Sequence, residues 1–149
     1  MAQDISIKTE RSLPIALLRA REAVMVPVRV MLNDLKVTEQ QWRVLRVLEE
    51  EGPLGPTELA QRAVLLLPSL TRILQGLEAR GLVERQAVES DRRRQQIVAS
   101  AEGHKLIRDN IARAQEISRE LRQRFGEDRH DQLLDLLNDL VKTAETSGK

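Results

Sequence analysis

The chain reads as a mainly α-helical fold carrying one small β-wing. Three observations predict it. Aliphatic residues recur at helical spacing along most of the 149 residues, whereas the chain has one Trp, one Phe and no Tyr to build an aromatic-rich β-sandwich. The two strand-like runs, LVERQAV (82–88) and QQIVA (95–99), are separated by the polar, turn-forming ESDRRR and read as a hairpin. Ahead of that hairpin, residues 57–80 read as a short helix, a tight connection and a second helix. Helix, turn, helix and arginine-tipped hairpin make a winged helix-turn-helix, which the sequence flanks with apolar N- and C-terminal helices suited to dimerisation.

Ser12 is the expected N-cap of a first helix over 12–33, with Pro14 in its opening turn. Apolar residues lie almost all round this helix, so burial on several sides is expected, one side against its own domain and another against a partner subunit. Pro27 inside it is expected to kink it, because proline removes a backbone donor and crowds the preceding turn. Thr38-Glu39-Gln40-Gln41 fits a capping box opening a second helix that stops at Gly52-Pro53. Trp42, Val44, Leu45 and Leu48 are its expected inward residues. Thr57 is expected to begin a short third helix with Leu59 and Ala60 inward. Pro68 opens a fourth that runs to Arg80 and ends at Gly81, with Leu70, Ile73, Leu74 and Leu77 in one apolar stripe. After the hairpin, Ser100 caps a long helix to about residue 124, striped by Ile107, Ile111, Ala114, Ile117 and Leu121. Gly126 breaks it before a last helix at roughly 128–145. The expected organisation is one domain over 1–149. Its DNA-binding part spans 36–100, and dimerisation helices span 10–34 and 101–146.

Composition excludes several classes. The absence of cysteine rules out disulfides and thiolate metal sites. The two histidines, His104 and His130, form no spaced ligand pair and are expected at the surface. No glycine-rich phosphate loop is present. No catalytic site, metal or cofactor is therefore expected. The segment MAQDISIKTERS lacks the apolar core of a secretory leader, and no apolar run approaches the ~20 residues needed to cross a bilayer. A soluble, cytoplasmic protein with no membrane partner is the expectation. Net charge is only +1, but residues 53–100 carry seven arginines against five acids, so a local basic surface is available.

In a helix-turn-helix the second helix presents its N-terminal side chains to base edges. Here these are Pro68, Ser69, Thr71, Arg72 and, one turn on, Gln75. Pro68 needs no backbone donor there. Ser69 and Thr71 can bond phosphates or bases, Arg72 can pair with guanine and Gln75 with adenine. The alternative is a merely solvated polar face. Asp91-Arg92-Arg93-Arg94 tips the balance. Charges at a hairpin tip can serve solubility alone, but three successive arginines about 20 residues after that helix face point to phosphate or minor-groove contact. Asp91 is placed to brace one of these arginine side chains.

The order of elements, the helix LPSLTRILQGLEARGLVER and the Asp91-x-Arg93 wing followed by Ala101-Glu102-Gly103 resemble the MarR family of dimeric winged-helix regulators over nearly the whole chain. SLPIALLRAREAVM followed by VTEQQWRVLRVL resembles one branch, the repressors of the homoprotocatechuate (4-hydroxyphenylacetate) degradation operon and their hydroxycinnamate-responsive relatives. The resemblance implies that Arg93 enters the minor groove with Asp91 orienting it, and that Ser69, Thr71, Arg72 and Gln75 lie on the recognition face. It also implies a homodimer on a palindromic double-stranded operator. One departure is visible. Ala99-Ser100 stands where Leu-Thr is usual, which keeps the cap and removes some packing under the wing.

Such regulators bind aromatic carboxylates in a cleft between the dimerisation helices and the winged domain. Arg21, flanked by apolar residues, suits a carboxylate. Trp42 could stack on a ring, with Arg46 one turn later on the same face, and Met25 could line the pocket adaptably. The alternative is structural: arginines paired with Glu22, Glu49 or Glu50, and Trp42 in the core. Arg19 and Arg29 are lesser candidates. The expected function is a repressor of an aromatic-acid catabolic operon, released by a phenolic acid such as 4-hydroxyphenylacetate or 3,4-dihydroxyphenylacetate. A hydroxycinnamate-responsive regulator is the alternative within the family. A helical adaptor that binds no DNA is the alternative outside it, and leaves the arginine-tipped hairpin without a role.

Overall fold

A computed structural model describes residues 8–148. A 3₁₀ turn at Thr9–Arg11 leads into six helices and one hairpin. They are α1 (Leu13–Leu35), α2 (Glu39–Glu51), α3 (Pro56–Arg62), α4 (Leu67–Ala79), β1 (Val83–Val88), β2 (Asp91–Ala99), α5 (Ala101–Phe125) and α6 (Glu127–Thr146). The chain divides into two compact units, Met1–Arg113 and Ala114–Lys149, with the boundary inside α5. The expectation of no secretory leader falls largely on residues 1–7, outside the described residues.

The first unit contains α1–α4, the hairpin and the start of α5. Its core is aliphatic. Val44, Leu45 and Leu48 of α2 are buried, as are Leu59, Ala60 and Ala63 at α3, and Leu70, Leu74 and Leu77 of α4. Leu82, Val83, Ile97 and Ile107 close it from the wing and α5. Each of these leucines removed from water contributes about 1.5–3 kcal/mol. The packed stripe is what holds α4 in a fixed orientation.

Local chemistry sets most helix ends. Thr38 Oγ1 accepts from Gln41 N–H at 3.1 Å while the Gln41 side chain accepts from Thr38 N–H at 3.1 Å, a complete capping box. Ser100 Oγ accepts from Gly103 N–H at 3.1 Å and donates to the Gly81 carbonyl at 2.6 Å, tying α5 to the end of α4. Gly55, not a side-chain cap, precedes α3, which begins at Pro56 rather than Thr57. Ser12 sits at the N-cap of α1 without a side-chain hydrogen bond, and α1 continues through Pro27 to Leu35. Helices α1, α3 and α4 all close with a left-handed residue followed by a backbone bond reaching back five positions. The bonds are Val37 N–H to Leu32 O, Leu65 N–H to Ala60 O and Leu82 N–H to Leu77 O. The left-handed residues are Lys36, Val64 and Gly81, so glycine serves at only one of the three.

The hairpin departs from expectation in a way that matters for its arginines. The turn is Glu89-Ser90, and Arg92–Arg94 belong to β2 rather than to the turn. The antiparallel ladder steps from Ala87–Gln95 to Val88–Asp91, which leaves the three arginines as an unpaired bulge. Leu54 pairs with Ile97 through bonds of 3.1 and 2.7 Å, so the base of the wing is fastened to the α2–α3 connection.

The second unit is the rest of α5 with α6. Arg122 reaches Glu127 at 3.3 Å and Asp131 at 3.0 Å around the Gly126 break, and the Arg129 guanidinium stands 4.4 Å from the centre of the Phe125 ring. Leu133, Leu134, Leu136 and Val141 are all exposed. Among the described residues this unit buries no side chain.

Candidate functional site: a recognition helix, a wing and a lined cleft

The exposed side of α4 carries Pro68, Thr71, Arg72 and Gln75, spaced i, i+3, i+4, i+7 and hence on one stripe. The buried stripe of Leu70, Leu74 and Leu77 on the opposite side fixes it outward. Ser69 is half-buried and lies at the stripe's edge. Thr71 Oγ1 donates to the Leu67 carbonyl at 3.1 Å, so its hydroxyl oxygen keeps lone pairs for a further donor.

On the wing, Arg92, Arg93 and Arg94 are exposed. Asp91 meets Arg93 through the backbone: Asp91 Oδ1 accepts from Arg93 N–H at 3.1 Å. The bracing expected of the Arg93 side chain is instead a bracing of its main chain, which sets where Cα lies and leaves the guanidinium open. Among the described residues, no carboxylate lies within salt-bridge distance of Arg72, Arg92, Arg93 or Arg94. Arg21, Arg29, Arg46, Arg62 and Arg85 of the same unit are paired, whereas Arg80 bonds only backbone carbonyls and, among the described residues, Arg11, Arg19 and Arg43 also have no carboxylate partner. The recognition stripe and the wing therefore present uncompensated positive charge, the arrangement a phosphate backbone favours.

A cleft of about 460 Å³ lies between α1 and α2, and Arg21, Met25, Trp42 and Arg46 all line it. Trp42 is 7% exposed, so its ring is both core packing and cleft wall. The two arginines are also ion-paired. Arg46 donates to Glu50 at 2.7 Å. Arg21 donates to Glu39 at 2.7 Å and passes Glu22 at 3.8 Å.

Glu39, which the sequence pattern marked only as part of a cap, is the hub. Its second oxygen accepts from Arg29 Nε at 2.5 Å, and Arg29 in turn grips Glu22 with bonds of 2.7 and 3.0 Å. The Arg21 hydrogen bond, then that of Arg29, holds the Glu39 carboxyl below the ordinary carboxylate range. Arg29 does the same to Glu22. No signal in one sequence pairs residues so far apart along the chain.

His104, expected at the surface, is engaged by a neighbouring side chain. It is half-buried, and its Nδ1 contacts Glu49, whose other oxygen accepts from Arg108 Nε at 2.9 Å. The contact of His104, followed by that of Arg108, depresses the Glu49 pKa. His130 lies beside Asp131 at 3.3 Å. Among the described residues no group of His, Asp and Glu side chains is arranged to hold a metal, and no helix is long and apolar enough to cross a membrane.

An aliphatic core that turns a polar helix stripe outward, beside an arginine-bearing hairpin, defines a winged-helix regulator of transcription. Residues 37–94 match the model of the MarR family. The chain is 40% identical over 131 residues, 88% of it and 90% of the relative, to the HTH-type transcriptional regulator FarR of Neisseria gonorrhoeae. It is 38% identical over 130 residues, 87% and 88% of the two chains, to the homoprotocatechuate degradative operon repressor of Escherichia coli. The crystal structure of NadR in complex with 4-hydroxyphenylacetate superposes with a TM-score of 0.76 at 40% identity, covering 88% of this chain and 93% of that one. The chain belongs to the MarR family; it is a transcriptional regulator and not an enzyme.

Proposed function

We propose that the protein is a cytoplasmic, dimeric, sequence-specific DNA-binding repressor of an aromatic-acid catabolic operon, released by a phenolic carboxylate such as 4-hydroxyphenylacetate or 3,4-dihydroxyphenylacetate. The observation that carries the DNA half is the set of uncompensated arginines, Arg72 on the recognition stripe with Arg92, Arg93 and Arg94 on the wing. Pro68, Ser69, Thr71 and Gln75 complete the recognition helix, and Asp91 positions the wing. The order from residue 36 to 100 is the DNA-binding part.

Dimerisation is supported by apolar surface that one chain leaves bare. Leu13, Leu17, Leu18, Val24, Val26 and Val30 of α1 are exposed, as are Leu121 of α5 and Leu133, Leu134 and Leu136 of α6. A second copy covering these faces, over 10–34 and 101–146, sets the spacing of two recognition helices. That spacing must be about 34–36 Å to read successive turns of a palindromic operator.

The effector half rests on the cleft and on relatives, one a repressor of homoprotocatechuate degradation and one crystallised with 4-hydroxyphenylacetate. Arg21 and Arg46 supply charge for a carboxylate, Trp42 a ring face, and Met25 an adaptable wall. Arg21 is engaged by Glu39, but Arg29 also compensates Glu39. Arg21 can therefore turn to a ligand without leaving a bare carboxylate behind. Ligand binding shifts the dimer between DNA-competent and incompetent spacings only by its differential affinity for the two.

The test is release. Protein bound to its operator is titrated with 4-hydroxyphenylacetate, 3,4-dihydroxyphenylacetate and a hydroxycinnamate. Dissociation by a phenylacetate supports the reading. Dissociation by the hydroxycinnamate alone assigns the other branch, and release by none overturns the effector half.

A further inference from the structure

Where the chain turns from α3 into α4, aliphatic side chains stand in solvent. Val64 and Leu66 are each 77% exposed and Leu67 is 46% exposed. The turn itself does not require leucines there. Leu66 occupies the N-cap of α4 and makes no side-chain cap hydrogen bond. Ser, Thr, Asp or Asn at that position would satisfy a free N–H of the first turn. The leucine therefore forgoes a cap and leaves apolar surface in water. Fold stability favours neither.

The position of the two leucines indicates what covers them. Leu67 is the first residue of α4 and lies one turn before Thr71, at the edge of the stripe that Thr71 shares with Arg72 and Gln75. Leu66 directly precedes it. This end of the second helix is the part that reaches base edges, so the apolar patch adjoins the recognition stripe at Thr71. Leucine offers no hydrogen bond to a base. The apolar group that base edges show in the major groove is the C5-methyl of thymine.

We propose that Leu66 and Leu67 are specificity-determining residues that pack against thymine C5-methyl groups in each operator half-site. This rests on the DNA-binding reading above. Hydrogen-bonding residues further along α4 read other bases, while the leucines select thymine and exclude water from the start of the contact. Val64 acts through its backbone. Its left-handed conformation (φ 55°) turns the chain so that Leu65 is drawn inward while Leu66 is left outward.

The experiment uses a DNA duplex selected from a random-sequence library by the intact protein, and the same duplex with each thymine replaced in turn by deoxyuridine, which removes only the methyl. Affinities are measured for the wild type, for Leu66→Ala, Leu67→Ala and the double variant, and for Arg93→Ala. The expected result is a loss of about four-fold per buried methyl for the wild type at one or two thymines per half-site. The loss is absent in the double leucine variant and retained in Arg93→Ala. Equal thymine-to-uracil ratios for wild type and the double variant overturn the proposal, as does a wild type indifferent to every replacement. A double variant weakened equally on both duplexes places the leucines on the sugar–phosphate backbone and also overturns it. Failure of the protein to select any DNA removes the underlying DNA-binding reading as well.

Discussion

Arg21 and Glu39 are joined by a 2.7 Å hydrogen bond between the first helix and the opening turn of the second, in the wall of the cleft that Trp42 also lines. One interaction thus belongs to both the packing of α1 on α2 and the proposed ligand site. On the proposed reading, a carboxylate effector would compete with Glu39 for Arg21. Arg21→Ala is expected to weaken 4-hydroxyphenylacetate binding about ten-fold or more, the scale of a lost hydrogen bond to a charged group. Trp42 is the only tryptophan, so its emission should report the titration directly. A saturable change that Arg21→Ala leaves at the same midpoint would remove Arg21 from the site.

The same pair predicts the acid limb of stability. Glu39, Glu22, Glu49 and Asp131 all have pKa values lowered in the folded state, each chiefly by a hydrogen bond to Arg21, Arg29, His104 and Arg122 respectively. A carboxyl lowered on folding contributes stability above its unfolded pKa, about 4.3 for Glu, and loses it as pH falls through the folded value. The urea midpoint should hold from pH 7 to about 5 and fall below that. Glu39→Gln should start lower at pH 7 and fall less on acidification. A parallel fall in the two proteins would show that the Glu39 cluster contributes nothing to the acid limb.

Val64 carries a β-branched side chain at φ 55°. Left-handed backbone costs a non-glycine residue about 1–2 kcal/mol, and glycine costs about 0.5–1 kcal/mol of unfolded-state entropy. Since the Val64 side chain is largely in water, Val64→Gly should gain up to about 1 kcal/mol. Thermal unfolding should show a rise of a few degrees. A fall would mean that the side chain packs in the folded state after all.

Gly103 is required for a different reason. A Cβ there would run into the backbone carbonyl of Leu82, where α5 crosses the start of the wing. Gly103→Ala should destabilise by about 1–3 kcal/mol, as overpacking does, read as a lowered denaturant midpoint. An unchanged midpoint would show that the Leu82 segment can yield freely.

What the sequence disclosed was local. Thr38 with Gln41, Ser100 and Gly81 are caps whose chemistry is complete within a few residues, and the aliphatic stripe of α4 follows from helical period alone. What it concealed depended on register or on distance along the chain. The arginines of the wing read as a turn, because a three-residue bulge opposite Ala87-Val88 cannot be seen until the strands are paired. Asp91 bonds the backbone of Arg93, a choice that composition does not reveal. Glu39 and Arg21, or His104 and Glu49, meet only once their helices pack. The end of α3 was legible, but not that Val64, in place of the usual glycine, takes the left-handed position there.

The most direct test of DNA recognition is the salt dependence of operator affinity for wild type and two arginine variants. The logarithm of the association constant should fall linearly with the logarithm of salt concentration, with a slope of about −0.9 per phosphate contacted. Arg93→Ala should weaken binding across sequences and make the slope shallower by about 1, while Arg72→Ala should relax base preference by about 1–3 kcal/mol. A flat salt response, or an Arg93→Ala variant with unchanged affinity and slope, would contradict a wing that grips DNA.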